Sequence, residues 1–111
     1  MDTLENYGET IIHILQEHAQ TTYAYGEIEH ELIVDRENDR YILLSLGWEG
    51  IRRIHACVVH MDIIDGKVWI QEDNTYDGVA SELVAAGILA DQIVLGFHSE
   101  RSRQYTEFAV G

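Results

Sequence analysis

The sequence predicts a single α+β domain over residues 1–111, with helices on one face of a mainly antiparallel sheet. Apolar residues recur at helical spacing near the N-terminus, alternate through four successive segments, and return to helical spacing near residue 80. Turn residues separate the alternating segments closely enough for direct hairpins. No proline or repeat interrupts the chain, and its hydrophobic share of 46% is typical of a globular protein.

The N-terminal helix is predicted over residues 3–20. Its apolar positions repeat every three or four residues, and they are Leu4, Tyr7, Ile11, Ile14, Leu15 and His18. Asp2, followed three residues later by Glu5, resembles a capping box at the start of this helix.

Four strands are predicted to follow as an antiparallel four-stranded meander. Their predicted ranges are 28–34, 41–48, 51–63 and 67–71. Alternation in the second strand places four apolar residues on one face, namely Ile42, Leu44, Leu46 and Trp48. The connecting turns are predicted at 36–40, at Glu49-Gly50 and at Asp65-Gly66, the last being a preferred hairpin dipeptide.

A second helix is predicted to begin near Asn74 or Thr75 and to end at Gly87. Its apolar stripe consists of Tyr76, Val79, Ala80, Leu83 and Val84. Residues 93–97 form an apolar run of strand length, and residues 105–110 alternate weakly. The pattern therefore ends in one or two short C-terminal strands.

The charge of the chain restricts its function. Twenty acidic residues against seven basic ones give a net charge of −13, and the first 31 residues contain no lysine or arginine. Duplex DNA repels a protein this acidic unless its bases are concentrated on one face, so autonomous nucleic-acid binding is not expected. Six of the seven bases are arginine, a residue typical of protein interfaces, and an acidic surface suits a basic partner.

The cysteine content and the N-terminal residues indicate the cellular compartment. Cys57 is the only cysteine, which excludes an internal disulfide, and its apolar neighbours predict a small core residue. The N-terminus is acidic where a signal peptide would be basic, and no apolar run approaches the roughly 20 residues that cross a bilayer. A cytoplasmic protein without membrane attachment is expected.

Beyond this general pattern, the chain resembles the XisI family, the small controlling factors of fdxN-element excision. The blocks that carry the resemblance are residues 47–50, 53–63, 67–73, 77–80, 93–98 and 105–110. They occur in the order and spacing of the family, and Leu4, Glu5 and Tyr7 match its helix start. The loop 87–91 lacks the proline expected there.

The resemblance implies a role in programmed excision of a DNA element in cyanobacteria. It implies action alongside a site-specific recombinase and XisH, a companion with an endonuclease-like fold. The family supplies no agreed catalytic residues, so none is carried over to this chain. The first hypothesis is therefore a non-catalytic binding module that modulates an XisH-like partner, acts on a recombinase only indirectly, and needs no metal or cofactor.

A polar group suggests a second hypothesis, a small metal-dependent hydrolase or nuclease. Its candidate residues are His60, Asp62, Asp73 and His98, and Gln71 and Asp77 extend the polar site. His60 and Asp62 share one strand face, while simple alternation places His55 on the other. The competing interpretation is that Asp73 and Asn74 cap the following helix.

The segment after the last strand is the best candidate for partner binding. Its residues are Phe97, His98, Arg101, Arg103, Tyr105 and Glu107. Aromatic residues and arginine are enriched among interface hot spots. The alternative is an ordinary loop that docks the C-terminal tail. A direct DNA-binding excision factor is a third hypothesis, which the net charge disfavours, and exposed edge strands suggest a homodimer.

Overall fold

A five-stranded sheet forms the centre of the protein, and the computed structural model describes it within residues 3–20 and 27–111. The helices and strands are α1 (Thr3–Ala19), β1 (Glu27–Asp35), β2 (Arg40–Glu49), β3 (Arg52–Ile64), β4 (Lys67–Asp73), α2 (Val79–Ala85), β5 (Ile93–Leu95) and α3 (Glu100–Arg103). A single 3₁₀ turn, Ala90–Gln92, precedes β5. The predicted α+β class is confirmed.

The strands lie in the order β1-β2-β3-β4-β5. The first four pair antiparallel, as the predicted meander requires, whereas β5 is parallel to β4. A parallel neighbour needs a crossover connection, and the segment containing α2 provides it. The predicted hairpin between β3 and β4 turns at Asp65 and Gly66, whose φ angles of 50° and 79° match a two-residue turn of type I′.

The N-terminal helix is confirmed, and it packs on one face of the sheet. Ile11 and Leu15 are fully buried in the core. Near its end, the Nε2 atom of His18 lies 2.7 Å from a carboxylate oxygen of Glu82 on α2, which joins the two helices. The predicted capping box depends on Asp2, which lies outside the described residues.

The two faces of the sheet differ, and we call them the covered face and the open face. The covered face packs against α1 and α2 and includes Tyr41 and Leu43, which are 2% and 0% exposed. Four residues predicted to share one face of β2 do share it, but they lie on the open face: Ile42, Leu44, Leu46 and Trp48. Since both sets are apolar, alternation alone did not indicate which face the helices cover.

Two β-bulges change the alternation within the sheet. In β3, Val59 pairs with Leu43 and Cys57 pairs with Leu44, so Val58 is the extra residue. The bulge turns His55 onto the same open face as His60, and the prediction that His55 lies on the opposite face is therefore wrong. Cys57 is also brought to the open face, where it is partly buried and does not belong to the core.

The second bulge is in β4. There, His60 pairs with Glu72 and Met61 pairs with Ile70, so Gln71 is the extra residue. Glu72 consequently lies on the open face and Asp73, opposite Val59, on the covered face. Simple alternation would have kept Asp73 on the same face as Gln71.

The second helix is shorter than predicted. It begins at Val79, and residues 74–78 form a loop in which Tyr76 is fully exposed. The predicted stop at Gly87 is confirmed, because Gly87 has a φ of 105° and donates to Val84 O while Ile88 donates to Leu83 O. These two bonds form a Schellman motif that ends the helix.

The C-terminal segment contains one helical turn that the sequence did not predict. Ser99 is the N-cap of α3, and its Oγ accepts a hydrogen bond from the backbone N–H of Ser102 at 3.2 Å. The predicted strand at 105–110 is reduced to one parallel bridge between Ala109 and Val94. Among the described helices, none has both the length and the apolar content needed to span a membrane.

Candidate interaction surface and polar cluster

The loop after β5 presents a group of exposed side chains, which we call the C-terminal surface. Its members are Phe97, His98, Arg101, Tyr105 and Glu107. Phe97 is 46% exposed and Tyr105 is 82% exposed. The Phe97 and His98 rings lie 4.5 Å apart between centroids and are tilted by 43°, so they form one continuous ring surface. Large exposed aromatic residues beside an arginine are the types enriched among interface hot spots.

Arg103, predicted to belong to the same surface, has a different role. Its Nε donates to Val110 O at 2.6 Å, and its Nη1 donates to His98 O at 2.7 Å. The guanidinium also lies 5.4 Å from the ring centroid of Trp69 on β4. Arg103 therefore holds the C-terminal tail and the 97–99 loop together over the sheet, while Arg101 remains exposed.

A glycine allows this loop to lie close to β4. A Cβ atom at Gly96 would be 2.8 Å from Gln71 Oε1 and 3.1 Å from Ile70 O. Both distances are shorter than ordinary van der Waals contacts. A larger residue at this position would require the Gln71 side chain and the backbone of β4 to shift.

A second group, the polar cluster, lies on the open face and is centred on Asp62, which is 6% exposed. Its Oδ1 lies 3.0 Å from His60 Nε2, and its Oδ2 accepts from Gln71 Nε2 at 3.2 Å. Arg40 Nε lies 3.8 Å from Oδ1. Since a carboxylate only accepts hydrogen bonds, the Nε2–H of His60 is the donor. Arg40 was not among the predicted residues, although it lies directly opposite Asp62 in the register of β2 and β3.

Asp73 lies outside this cluster and has a structural role. Its Oδ2 accepts from the backbone N–H of Val79 at 2.7 Å, and its Oδ1 accepts from the N–H and hydroxyl of Thr75 at 3.0 and 2.6 Å. The capping interpretation is thus confirmed for Asp73. Asn74 instead donates its side-chain amide to Cys57 O at 2.9 Å and to Glu72 at 2.8 Å, which ties the loop to the bulged part of β3.

The four residues of the hydrolase hypothesis are therefore divided. His60 and Asp62 lie on the open face, Asp73 lies on the covered face, and His98 lies on the C-terminal surface. Asp77 is exposed in the loop before α2. Within residues 3–20 and 27–111, no group of three or more histidine, cysteine, aspartate or glutamate residues is placed to hold a metal ion.

Cys57 is the remaining side chain with reactive chemistry. Partial burial, and to a smaller extent the negative charge of Glu72, raises the pKa of its thiol above the ordinary value. A higher pKa leaves less thiolate at neutral pH, and the thiolate is the nucleophilic form. The position favours a packing role over a reactive one.

Comparison with known proteins gives a consistent result along the whole chain. A family model described as XisI protein matches residues 1–110. A crystal structure of a XisI-like protein from Anabaena variabilis ATCC 29413 is 38% identical, with a TM-score of 0.89 over 97% of this chain and 99% of that one. The crystal structure of the fdxN element excision controlling factor XisI from the same organism is 34% identical, with a TM-score of 0.84 over 99% of this chain and 100% of that one. A comparison with curated proteins gives no match.

Proposed function

Since the chain belongs to the XisI protein family, we propose that it is an excision-control factor that acts through a protein partner and not through catalysis of its own. The partner is an XisH-like protein with an endonuclease-like fold. Any effect on a site-specific recombinase passes through that partner. The observation that carries this proposal is the C-terminal surface, where exposed aromatic rings and Arg101 lie on a segment that Arg103 holds in place.

Preorganisation supports a binding role for this surface. A loop that is already ordered loses less conformational freedom when a partner binds it. Three interactions of Arg103 order the tail and the 97–99 loop before any partner arrives. Phe97 and Tyr105 consequently present exposed rings from an ordered backbone, and exposed aromatic residues of this kind are common interface anchors.

Electrostatics supports a protein partner over DNA. The net charge is −13, and Arg103 is already engaged within the chain, which leaves few bases to meet a phosphate backbone. A nucleic-acid enzyme carries a positive groove, to which an acidic protein is attracted at long range. One mechanism that fits these charges is inhibition, in which the acidic chain occupies the positive groove of its partner.

The hydrolase alternative finds less support in the geometry. Its strongest element is the His60–Asp62 pair, but both carboxylate oxygens of Asp62 already have partners within the polar cluster. Asp73 is committed to the start of α2. A screen of phosphodiester substrates with Mg²⁺ or Mn²⁺ tests this alternative. Activity that disappears in both His60→Ala and His98→Ala would support it against our proposal.

Co-expression of the chain with an XisH-like protein, followed by affinity capture and size-exclusion chromatography, tests the proposed partnership. We expect a stable complex at micromolar concentration. Arg101→Glu should weaken it, because the substitution reverses the exposed charge of the C-terminal surface. Arg52→Glu is the matched control, since Arg52 is also exposed but lies at the start of β3. Absence of a complex, or equal weakening by both variants, would contradict the proposal.

A further inference from the structure

The open face of β1, β2 and β3 carries three columns of different chemistry. The acidic column on β1 consists of Glu27, Glu29 and Glu31, all of them exposed. The apolar column on β2 consists of Trp48, Leu46, Leu44 and Ile42. The third column, on β3, consists of Arg53, His55, Cys57 and His60, and Arg53 supplies its positive charge. We call these the acidic, apolar and basic columns.

Strand register places the columns in straight rows. Glu27 is opposite Trp48, which is opposite Arg53, and Glu29 is likewise aligned with Leu46 and His55. Within one chain the acidic and basic columns are separated by two strand spacings, or roughly 10 Å. Among the described residues, no ion pair joins the two columns within one chain.

The apolar column is unusual for a solvated sheet face. The outward positions of an antiparallel sheet are ordinarily polar. Here Trp48 is 48% exposed, Ile33 of the neighbouring strand is 42% exposed, and the leucines between them are only partly buried. Arg103 lies over Trp69 on β4, whereas within residues 3–20 and 27–111 the side chains of the β1–β3 part of this face keep the exposure given above.

We propose that the open face binds a second copy of this chain, packed sheet against sheet about a two-fold axis parallel to the strands. A two-fold rotation about this axis exchanges the positions of the two columns that flank the apolar column. It places the acidic column of one protomer over the basic column of the other, and the reverse pairing follows by symmetry. The apolar column then packs against its own counterpart.

The charges favour this axis over a two-fold axis that also lies between the two sheets but runs perpendicular to the strands. A two-fold axis perpendicular to the strands would lay the acidic column of one protomer over that of the other, and like charges facing each other across an interface cost several kcal/mol. With the parallel axis, each row meets its equivalent row, so Glu27 faces the partner's Arg53. Packed sheets lie about 10 Å apart, a gap that glutamate and arginine side chains from the two sides can bridge.

This dimer is independent of the proposed partner. The C-terminal surface follows β5, which lies at the edge of the sheet opposite to β1, and none of its residues belongs to the three columns. The dimer and the partner therefore use different residues. The dimer and the partner-binding surface make separate predictions, and either can fail while the other stands.

Charge reversal followed by mixing tests the dimer and its axis. Sedimentation or light scattering should give the wild type twice the 12.7 kDa of one chain at micromolar concentration. Glu27→Arg alone and Arg53→Glu alone should each raise the dimer dissociation constant by at least about tenfold, because each creates two symmetric like-charge contacts. An equimolar mixture of the two variants should recover the dimer, since both contacts in the mixed pair are again opposite in sign.

Recovery on mixing also controls for misfolding, because Arg53 lies over the Trp48 ring at 5.3 Å and donates to Gly47 O within its own chain. In a second test, Leu44→Lys should yield a monomer, whereas Leu89→Lys, at a 67% exposed leucine away from this face, should remain dimeric. A monomeric wild type would overturn the proposal, as would a dimer insensitive to both charge variants or a mixture that does not recover. A monomeric wild type that binds an XisH-like protein, with that binding lost in Leu44→Lys, would also overturn the proposal. The open face would then be the binding site of that protein.

Discussion

Leu43 and Leu44 are consecutive residues of one strand, yet they belong to different parts of the molecule. Leu43 is fully buried on the covered face, beneath α1 and α2, whereas Leu44 lies on the open face between Glu31 and Cys57. On the covered face the apolar side chains supply the core. On the open face they form a column bordered by opposite charges. The same residue type therefore contributes to folding on one face and, in our proposal, to association on the other.

Truncation of these two leucines should give the largest difference in stability between the two faces. Leu43→Ala should lower the free energy of unfolding by about 3 kcal/mol, because it removes buried methyl groups and leaves a cavity. Leu44→Ala should cost about 1 kcal/mol, since part of that side chain already contacts water. Urea denaturation measures both losses of stability, at protein concentrations below the dimer dissociation constant. Equal losses would show that the open face is as much a core as the covered face.

Removal of the buried carboxylate tests whether the polar cluster belongs to the fold. Asp62→Ala should lower stability by about 2 kcal/mol, because it leaves the partly buried donors of His60 and Gln71 without their acceptor. Asp62→Asn keeps one acceptor oxygen and should recover part of the loss. If Asp62→Ala proved neutral, solvent would have to satisfy these donors, and the cluster would be a more open and more reactive site than the structure shows.

On the covered face, the aspartate at the end of β4 offers the corresponding test. Asp73→Ala should cost about 1 kcal/mol, as expected for loss of a carboxylate that accepts from the first backbone N–H of a helix. Asp77→Ala, in the exposed loop beside it, is the control and should be close to neutral. Thermal unfolding of both variants measures the difference. A loss no larger than that of the control would refute the capping role.

The smallest expected effect concerns the thiol of Cys57. Its pKa is raised, so less thiolate is present at neutral pH than in an unperturbed cysteine, and the thiolate fraction grows only as the pH rises further. Alkylation by iodoacetamide should therefore be slower than for free cysteine at pH 7 and should approach it at alkaline pH. Rapid alkylation at neutral pH would mean that the open face exposes this thiol in a way that the burial of Cys57 does not indicate.

The difference between the faces also explains what could be predicted from the sequence. Local signals were sufficient for α1, for the four-stranded meander and for the end of α2 at Gly87, because periodicity and turn residues act within a few positions. Two extra residues, Val58 and Gln71, were not apparent in the alternation. Each bulge reverses the alternation between the side chains that precede it and those that follow it. His55 and Asp73 consequently lie opposite to where strict alternation places them.

The C-terminal segment shows the same limit at the level of single residues. Arg101 and Arg103 are two positions apart and identical in type, so the sequence assigned both to the interface. The structure leaves Arg101 exposed and engages Arg103 with Val110, His98 and Trp69. These contacts depend on where the tail returns to the sheet, which is a property of the whole fold. Arg40, opposite Asp62, was missed for the same reason, since only the strand register brings the two together.

Hydrogen–deuterium exchange of the chain, alone and in complex with an XisH-like protein, tests the central claim most directly. The claim is that the C-terminal surface binds the partner while the covered face serves only the fold. It predicts slower exchange at residues 97–107 in the complex, with little change in the core strands, where exchange is already slow. A stable complex in which residues 97–107 exchange as in the isolated chain would contradict the claim and would place the partner elsewhere on the molecule.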